Sequence, residues 1–260
     1  MNRLKQIFAN KQSKVLNVYF TAGFPDLNDT IPIMQSLAKN GADIIEIGMP
    51  YSDPLADGPT IQESGSKALS NGMNMKLLFQ QLANCRNNPI LKDTGIILMG
   101  YMNPVLQYGF EDFCKDAASV GVDGLILPDL PEFEFENEFQ AIIHKYGLDF
   151  IFLVTPETSP ERVKHLDRLS SGFLYAVSAS ATTGGATDFD LVERYLQRLQ
   201  LMQLNNPILV GFGIKDKTSF DAACKHANGA IIGSAYIAEL GKMNDIEETT
   251  QAFLQSIIRK

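Results

Sequence analysis

The chain of 260 residues contains no tryptophan, three cysteines and three histidines. Each shortage excludes something. Cys85, Cys114 and Cys224 are far apart, odd in number and without zinc-finger or redox-motif spacing, so reduced thiols in helices are expected rather than a disulfide framework. His144, His165 and His226 lie in helix-like stretches with no Cys or carboxylate motif beside them, and no metal is expected. No apolar run approaches the roughly 20 residues of a membrane span, so a soluble protein is expected, and the reduced thiols suit a cytoplasmic one. The formal charge of -8 argues against a nucleic-acid surface, which needs clustered Lys and Arg, but leaves room for a discrete phosphorylated metabolite. The acid-free N-terminus carries Arg3, Lys5, Lys11 and Lys14, as a transit peptide would. The strand-like run Val15 to Phe20 follows so soon that only a short helix fits before it.

What is present is ordinary globular composition, 45% hydrophobic and 20% charged. Eight apolar runs have strand character: Leu16 to Phe20, Asp43 to Ile47, Gly95 to Met99, Gly124 to Leu127, Phe150 to Val154, Phe173 to Val177, Ile208 to Val210 and Ala230 to Ile232. Between them lie helix-period segments: Leu27 to Lys39, Met75 to Cys85, Phe110 to Val120, Glu134 to Tyr146, Pro160 to Leu169, Phe189 to Leu204 and Ser219 to His226, with Ile246 to Ile258 closing the series. Three joints repeat a Gly-X-Asp pattern, Gly41 to Asp43, Gly121 to Asp123 and Gly147 to Asp149, where glycine suits a left-handed helix C-cap. Continuous rather than alternating hydrophobicity says that both faces of each strand are covered, as in a parallel sheet. Eight strand-helix units in this length predict an α/β fold, a single (β/α)8 TIM barrel domain over 1–260 with a short N-terminal helix. An open doubly wound sheet is the alternative, but Thr21 to Pro25 stands where its G-x-G-x-x-G would follow the first strand.

In the run Ile44 to Gly48, period-two alternation puts Glu46 on one face with Ile44 and Gly48. If that face is the barrel interior, burial raises the pKa of Glu46 towards values useful for exchanging protons. The other reading is a structural acid paired with a neighbouring Lys or Arg. The following loop, Pro50 to Thr60, holds three prolines and two aspartates, a stiff support for presenting Asp57, although Asp57-Gly58-Pro59 also reads as a plain turn. Glycines follow the seventh and eighth runs, at Gly211 to Gly213 and at Gly233-Ser234, and Gly184-Gly185 follows the sixth. Exposed N–H groups there suit a phosphate, which barrels commonly bind after strands seven and eight, or the glycines simply make tight turns.

The segment Ile44 to Pro59, with Glu46, Gly48 and Pro50-Tyr51-Ser52-Asp53-Pro54-Leu55-Ala56-Asp57-Gly58-Pro59, resembles the signature of the tryptophan synthase alpha chain family. Thr21 to Pro25, Met99 to Pro104, Leu127 to Pro131 and the glycine sites agree in order, so the resemblance runs from about Leu4 to the C-terminus. It implies a lyase that splits indole-3-glycerol phosphate by a retro-aldol reaction into indole and glyceraldehyde 3-phosphate, in tryptophan biosynthesis. By the same resemblance Glu46 is the general acid/base, Asp57 accepts the indole N–H and Tyr175 lines the site near Glu46. Gly184, Gly213, Gly233 and Ser234 bind the phosphate, Tyr19, Tyr101, Leu127 and Phe212 enclose the indole, and Thr183 orders the loop over the ligand. Ala181-Thr182-Thr183-Gly184 departs from the family's usual Gly-Val-Thr-Gly, which bears on loop closure. Asp53, Pro54, Asn103 and Pro104 match partner-facing loops, implying an alpha2-beta2 complex in which pyridoxal phosphate belongs to the beta partner and this chain carries no cofactor. A stand-alone indole-releasing lyase, another phosphosugar isomerase or aldolase, and a silent activator of the beta chain are the competing readings. No Schiff-base lysine stands at a strand end.

Overall fold

The computed structural model describes residues 2–177, 189–211, 213–242 and 245–258. Nine strand segments, β1 (Val15–Thr21), β2 (Ile44–Gly48), β3 (Gly95–Met99), β4 (Gly124–Ile126), β5 (Asp149–Phe150), β6 (Leu153–Val154), β7 (Leu174–Val177), β8 (Ile208–Gly211) and β9 (Gly229–Ile232), form one sheet in the order β5-β4-β3-β2-β1-β9-β8-β7-β6. Every pairing is parallel. The two ends of this order are consecutive in the chain: Ile151 N–H donates to Leu125 O on one side, and Tyr175 N–H donates to Phe152 O on the other. The sheet therefore closes on itself as a (β/α)8 barrel, and the doubly wound alternative falls away.

The fifth apolar run, expected as one strand, is split in two. The N–H groups of Phe150 and Phe152 turn to the hydroxyls of Ser171 and Ser170, so the ladder is interrupted between β5 and β6. Three α-helices of the described residues, Pro59–Ser70, Met102–Tyr108 and Ser234–Leu240, have no counterpart in the periodic pattern. Pro59–Ser70 begins with proline after an extended Gly58, the position where a missing N–H costs nothing. Met102–Tyr108 is capped by Asp129, whose two carboxylate oxygens each accept from Met102 N–H at 3.0 Å. The stretch expected as the helix Glu134 to Tyr146 instead begins at Glu132 and widens into a looser turn over Phe135–Phe139.

The repeated Gly-X-Asp joints lie at the N-terminal end of the barrel. Gly41, Gly121 and Gly147 have φ of 106°, 85° and 69°, the left-handed region that glycine enters without a Cβ penalty. The aspartate that follows each glycine binds the N-terminal segment: Lys11 pairs with Asp43, Arg3 with Asp123, and Asn2 donates to Asp149. The helix Arg3–Asn10 thus lies across the base and drives Leu4 into the barrel. There Leu4 meets a layer contributed by all eight barrel strands, Val15, Ile44, Ile97, Ile126, Ile151, Phe173, Leu209 and Ile231. The interior is filled at the bottom, and among the described residues its cavity lies towards the C-terminal strand ends.

Candidate active site

Above the apolar layer the interior faces change character. Asn17 and Tyr19 follow Val15 on β1, Glu46 and Gly48 follow Ile44 on β2, and Tyr175 rises from β7. Of these, Tyr19, Glu46 and Tyr175 border a cavity of about 360 Å³ at the C-terminal strand ends, within the range of small-molecule sites. Tyr19, Glu46, Asp57, Tyr175, Gly213, Gly233 and Ser234 all line it. Two strand-end glycines make room for the phenols: a Cβ on Gly48 would sit 2.0 Å from the Tyr19 hydroxyl, and one on Gly211 would sit 2.4 Å from the Tyr175 ring.

Glu46 is fully buried and has no ion-pair partner among the described residues. Its partner is Asn17, whose Nδ2 donates to Oε2 at 2.6 Å. Burial raises the Glu46 pKa to about 8, opposed by the Asn17 hydrogen bond and assisted by the negative charge of Asp57. The structural-acid reading required a Lys or Arg, and an amide stands there instead. Asp57 is half-buried on the stiff loop after β2, and its pKa is also raised by burial, with the Tyr101 hydrogen bond opposing. The Tyr101 hydroxyl donates to Asp57 Oδ2 at 3.0 Å and accepts from Ala56 N–H at 3.0 Å. The Tyr19 and Tyr175 phenols are held neutral, first by burial and then by the nearby carboxylates.

Some sequence-based expectations land elsewhere. Tyr101 is buried but clamps the Asp57 loop rather than lining the cavity wall. Leu127 borders a separate cavity of about 250 Å³ with Asp129, Glu132 and Arg162. The apolar wall comes instead from Ile61, Met99, Leu153, Val177, Ile214 and Ile231. Phe212, Thr183 and Gly184, with Ala181 and Thr182, lie outside the described residues. Asp53 and Asn103 are exposed, with Pro54 and Pro104 half-buried beside them, and Asn103 Nδ2 donates to the Tyr51 hydroxyl at 3.0 Å. Two lining or supporting residues escaped the sequence reading. Asn17 sits within an apolar run that gives it no sign of its own, and Lys215, the only Lys or Arg among the described lining residues, follows the glycines after β8. No group of His, Cys, Asp and Glu among the described residues is arranged to hold a metal.

Two carboxylates, one fully buried, at the mouth of a closed-bottomed barrel define an enzyme of the (β/α)8 class with an acid/base site where its strands end. A profile of the family "Tryptophan synthase alpha chain" matches residues 5–259. The alpha chain of Flavobacterium johnsoniae is 51% identical over 243 residues, 93% of this chain and 94% of the relative, and that of Bacteroides thetaiotaomicron is 45% identical over 249 residues, 95% and 96%. Tryptophan synthase subunit alpha from Legionella pneumophila superposes with a TM-score of 0.89 at 32% identity, covering 99% of this chain and 97% of that one. A chain of the aminoacrylate-bound tryptophan synthase of M. tuberculosis gives 0.86 at 30% identity, with 99% and 98% covered. The chain belongs to the tryptophan synthase alpha chain family.

Proposed function

We propose that the chain cleaves indole-3-glycerol phosphate to indole and glyceraldehyde 3-phosphate, the alpha reaction of tryptophan synthase. The carrying observation is a fully buried Glu46 with a pKa near 8, in one cavity with a half-buried Asp57. Protonated Glu46 gives its proton to C3 of the indole, which turns the ring into an iminium. The bond between C3 and the glycerol carbon then breaks, its electron pair forms C2=C3, and the iminium nitrogen becomes neutral. The adjacent hydroxyl becomes the aldehyde as its proton returns to Glu46. Asp57 in its ionised form accepts the ring N–H and offsets the charge that builds there, an effect strengthened in a water-poor cavity. Because the ring itself takes up the electrons, this sequence calls for no cofactor in this chain.

Tyr175 and Tyr19 pack beside Glu46, and the apolar wall from Met99, Leu153 and Ile231 suits an indole ring. The phosphate falls to the loops after β8 and β9, where Gly213, Gly233 and Ser234 offer backbone and hydroxyl donors, with Gly184 added by the resemblance. Lys215 supplies positive charge at the same loops. A beta-chain partner, with pyridoxal phosphate of its own in an alpha2-beta2 assembly, fits the apolar side chains on neighbouring loops. Leu55, Leu106 and Phe133, 93%, 52% and 71% exposed, follow β2, β3 and β4, which are adjacent in the sheet, and Asp53, Pro54, Asn103 and Pro104 share two of those loops. The buried thiols Cys85 and Cys114 are in keeping with a reducing, cytoplasmic setting, and the chain is taken to work as one barrel domain.

Purified protein supplied with indole-3-glycerol phosphate is expected to release indole, and Glu46→Gln and Asp57→Asn are each expected to lower kcat by about a hundredfold or more. Wild-type turnover in either variant would overturn the assignment. Adding the beta chain separates the cooperating subunit, whose rate rises, from a stand-alone lyase, whose rate does not change.

A further inference from the structure

Among the described residues, four buried side-chain polar atoms lack a hydrogen-bond partner, and two of them are Asn17 Oδ1 and Glu46 Oε1. Both are acceptors, and they belong to side chains already joined by the 2.6 Å bond from Asn17 Nδ2 to Glu46 Oε2. Buried acceptors left unpaired are costly, so the pair as it stands is one proton short. A protonated Glu46 supplies that proton. An amide is one of the few side chains that suits both forms of a carboxyl, since its NH2 donates to the ionised form and its C=O accepts from the acid.

We propose that Asn17 is a positioning residue for the cleavage reaction, holding Glu46 in one place while its amide serves the carboxylate and the carboxylic acid in turn. This deepens the lyase reading and rests on it, because only a reaction that takes Glu46 through both forms needs a partner of this kind. The position belongs to a strand whose other residues, Thr21 at its end apart, are apolar or aromatic, and there Asn costs burial energy and offers packing no advantage over Leu. Lys or Arg at the same place would fix Glu46 as an anion, and an apolar residue would leave the anion without a donor. The other titratable groups facing Glu46 are Tyr19 from β1, Asp57 from the loop after β2 and Tyr175 from β7, with Lys215 on the cavity rim after β8. None of them is hydrogen-bonded to it.

The test compares wild type with Asn17→Leu, similar in volume and unable to hydrogen-bond. Glu46 must be protonated to start the reaction, so the alkaline limb of the kcat profile follows its ionisation. Loss of the donor disfavours the anion, and Asn17→Leu is expected to move that limb upward by about one pH unit and to lower maximal kcat about tenfold or more, with KM changed less than about threefold. A variant with the wild-type limb and kcat overturns the proposal. A direct measurement stands beside this one: carbon-13 spectra of the glutamate carboxyls and nitrogen-15 spectra of the side-chain amides. The Asn17 amide signal is expected to titrate with the same midpoint as the Glu46 carboxyl, and an amide signal that ignores the Glu46 transition also overturns it. Should Asn17→Leu not fold, Asn17→Asp, which keeps the shape and adds a like charge, is expected to raise the Glu46 midpoint further; an unchanged midpoint counts against the proposal. The spectra need no substrate, so a wild-type protein that titrates as described yet releases no indole sinks the lyase reading and leaves the pairing standing.

Discussion

At the level of single residues the site places function against stability. Glu46 has a folded-state pKa of about 8, far above that of an ordinary carboxyl, so between about pH 4.5 and 8 the folded chain binds a proton that the unfolded chain has released. Stability therefore falls as pH rises through that window. Glu46→Gln is expected to be inactive and yet more stable than wild type at pH 8, by on the order of 4 kcal/mol, with the gap closing towards pH 4.5; urea unfolding at several pH values reads it directly. Asp57 has the opposite requirement, since it acts ionised and Tyr101 favours that form. Tyr101→Phe is expected to move the acid limb of the rate profile upward, and an unmoved limb would remove Tyr101 from its part in steadying Asp57. Glu46 was legible in the sequence because a carboxylate between isoleucines breaks an apolar pattern. Asn17 was not, because an amide in a strand carries no such warning until the partner across the sheet is known. Tyr101 is a different case: the resemblance put it beside the indole, and in the structure its hydroxyl holds the neighbouring loop.

At the level of elements, periodicity and glycine placement carried the barrel. The apolar runs became parallel strands and the Gly-X-Asp joints became left-handed caps, as local chemistry required. What the pattern did not reveal were elements whose cause is not local: Met102–Tyr108 depends on Asp129 from the next loop, and the break between β5 and β6 depends on two serine hydroxyls twenty residues on, roughly. Strand-end glycines are a further case of distant cause, since Gly211 is small because Tyr175 crosses it. Gly211→Ala is expected to displace the phenol and lower kcat/KM about tenfold or more while the protein stays folded; unchanged kinetics would mean that the ring adapts at no cost. The N-terminal helix makes a contrasting prediction. Leu4→Ala should cost about 2–5 kcal/mol of unfolding free energy and leave kcat close to wild type, because the cavity lies at the other end of the barrel.

For the whole molecule, the -8 charge and the absence of tryptophan take on definite meaning. An acidic protein can still receive a phosphate when backbone N–H groups and one lysine do the receiving. A chain without tryptophan has only its eight tyrosines for intrinsic emission, so released indole can be followed against a quiet background. The exposed apolar side chains predict a further outcome: Leu55→Asp or Phe133→Asp should weaken association with the beta chain about tenfold or more and leave the isolated chain as stable as before, as titration calorimetry and thermal unfolding would read. The floor of the barrel has a consequence of its own. With Leu4 and the eight-strand apolar layer filling one end, the cavity among the described residues lies towards the C-terminal strand ends, so a ligand reaches Glu46 from the side of the loops and not through the base. Whatever covers those loops then governs the commitment to cleavage: while they stay covered the aldehyde and the ring can rejoin, and escape of either one carries the reaction forward.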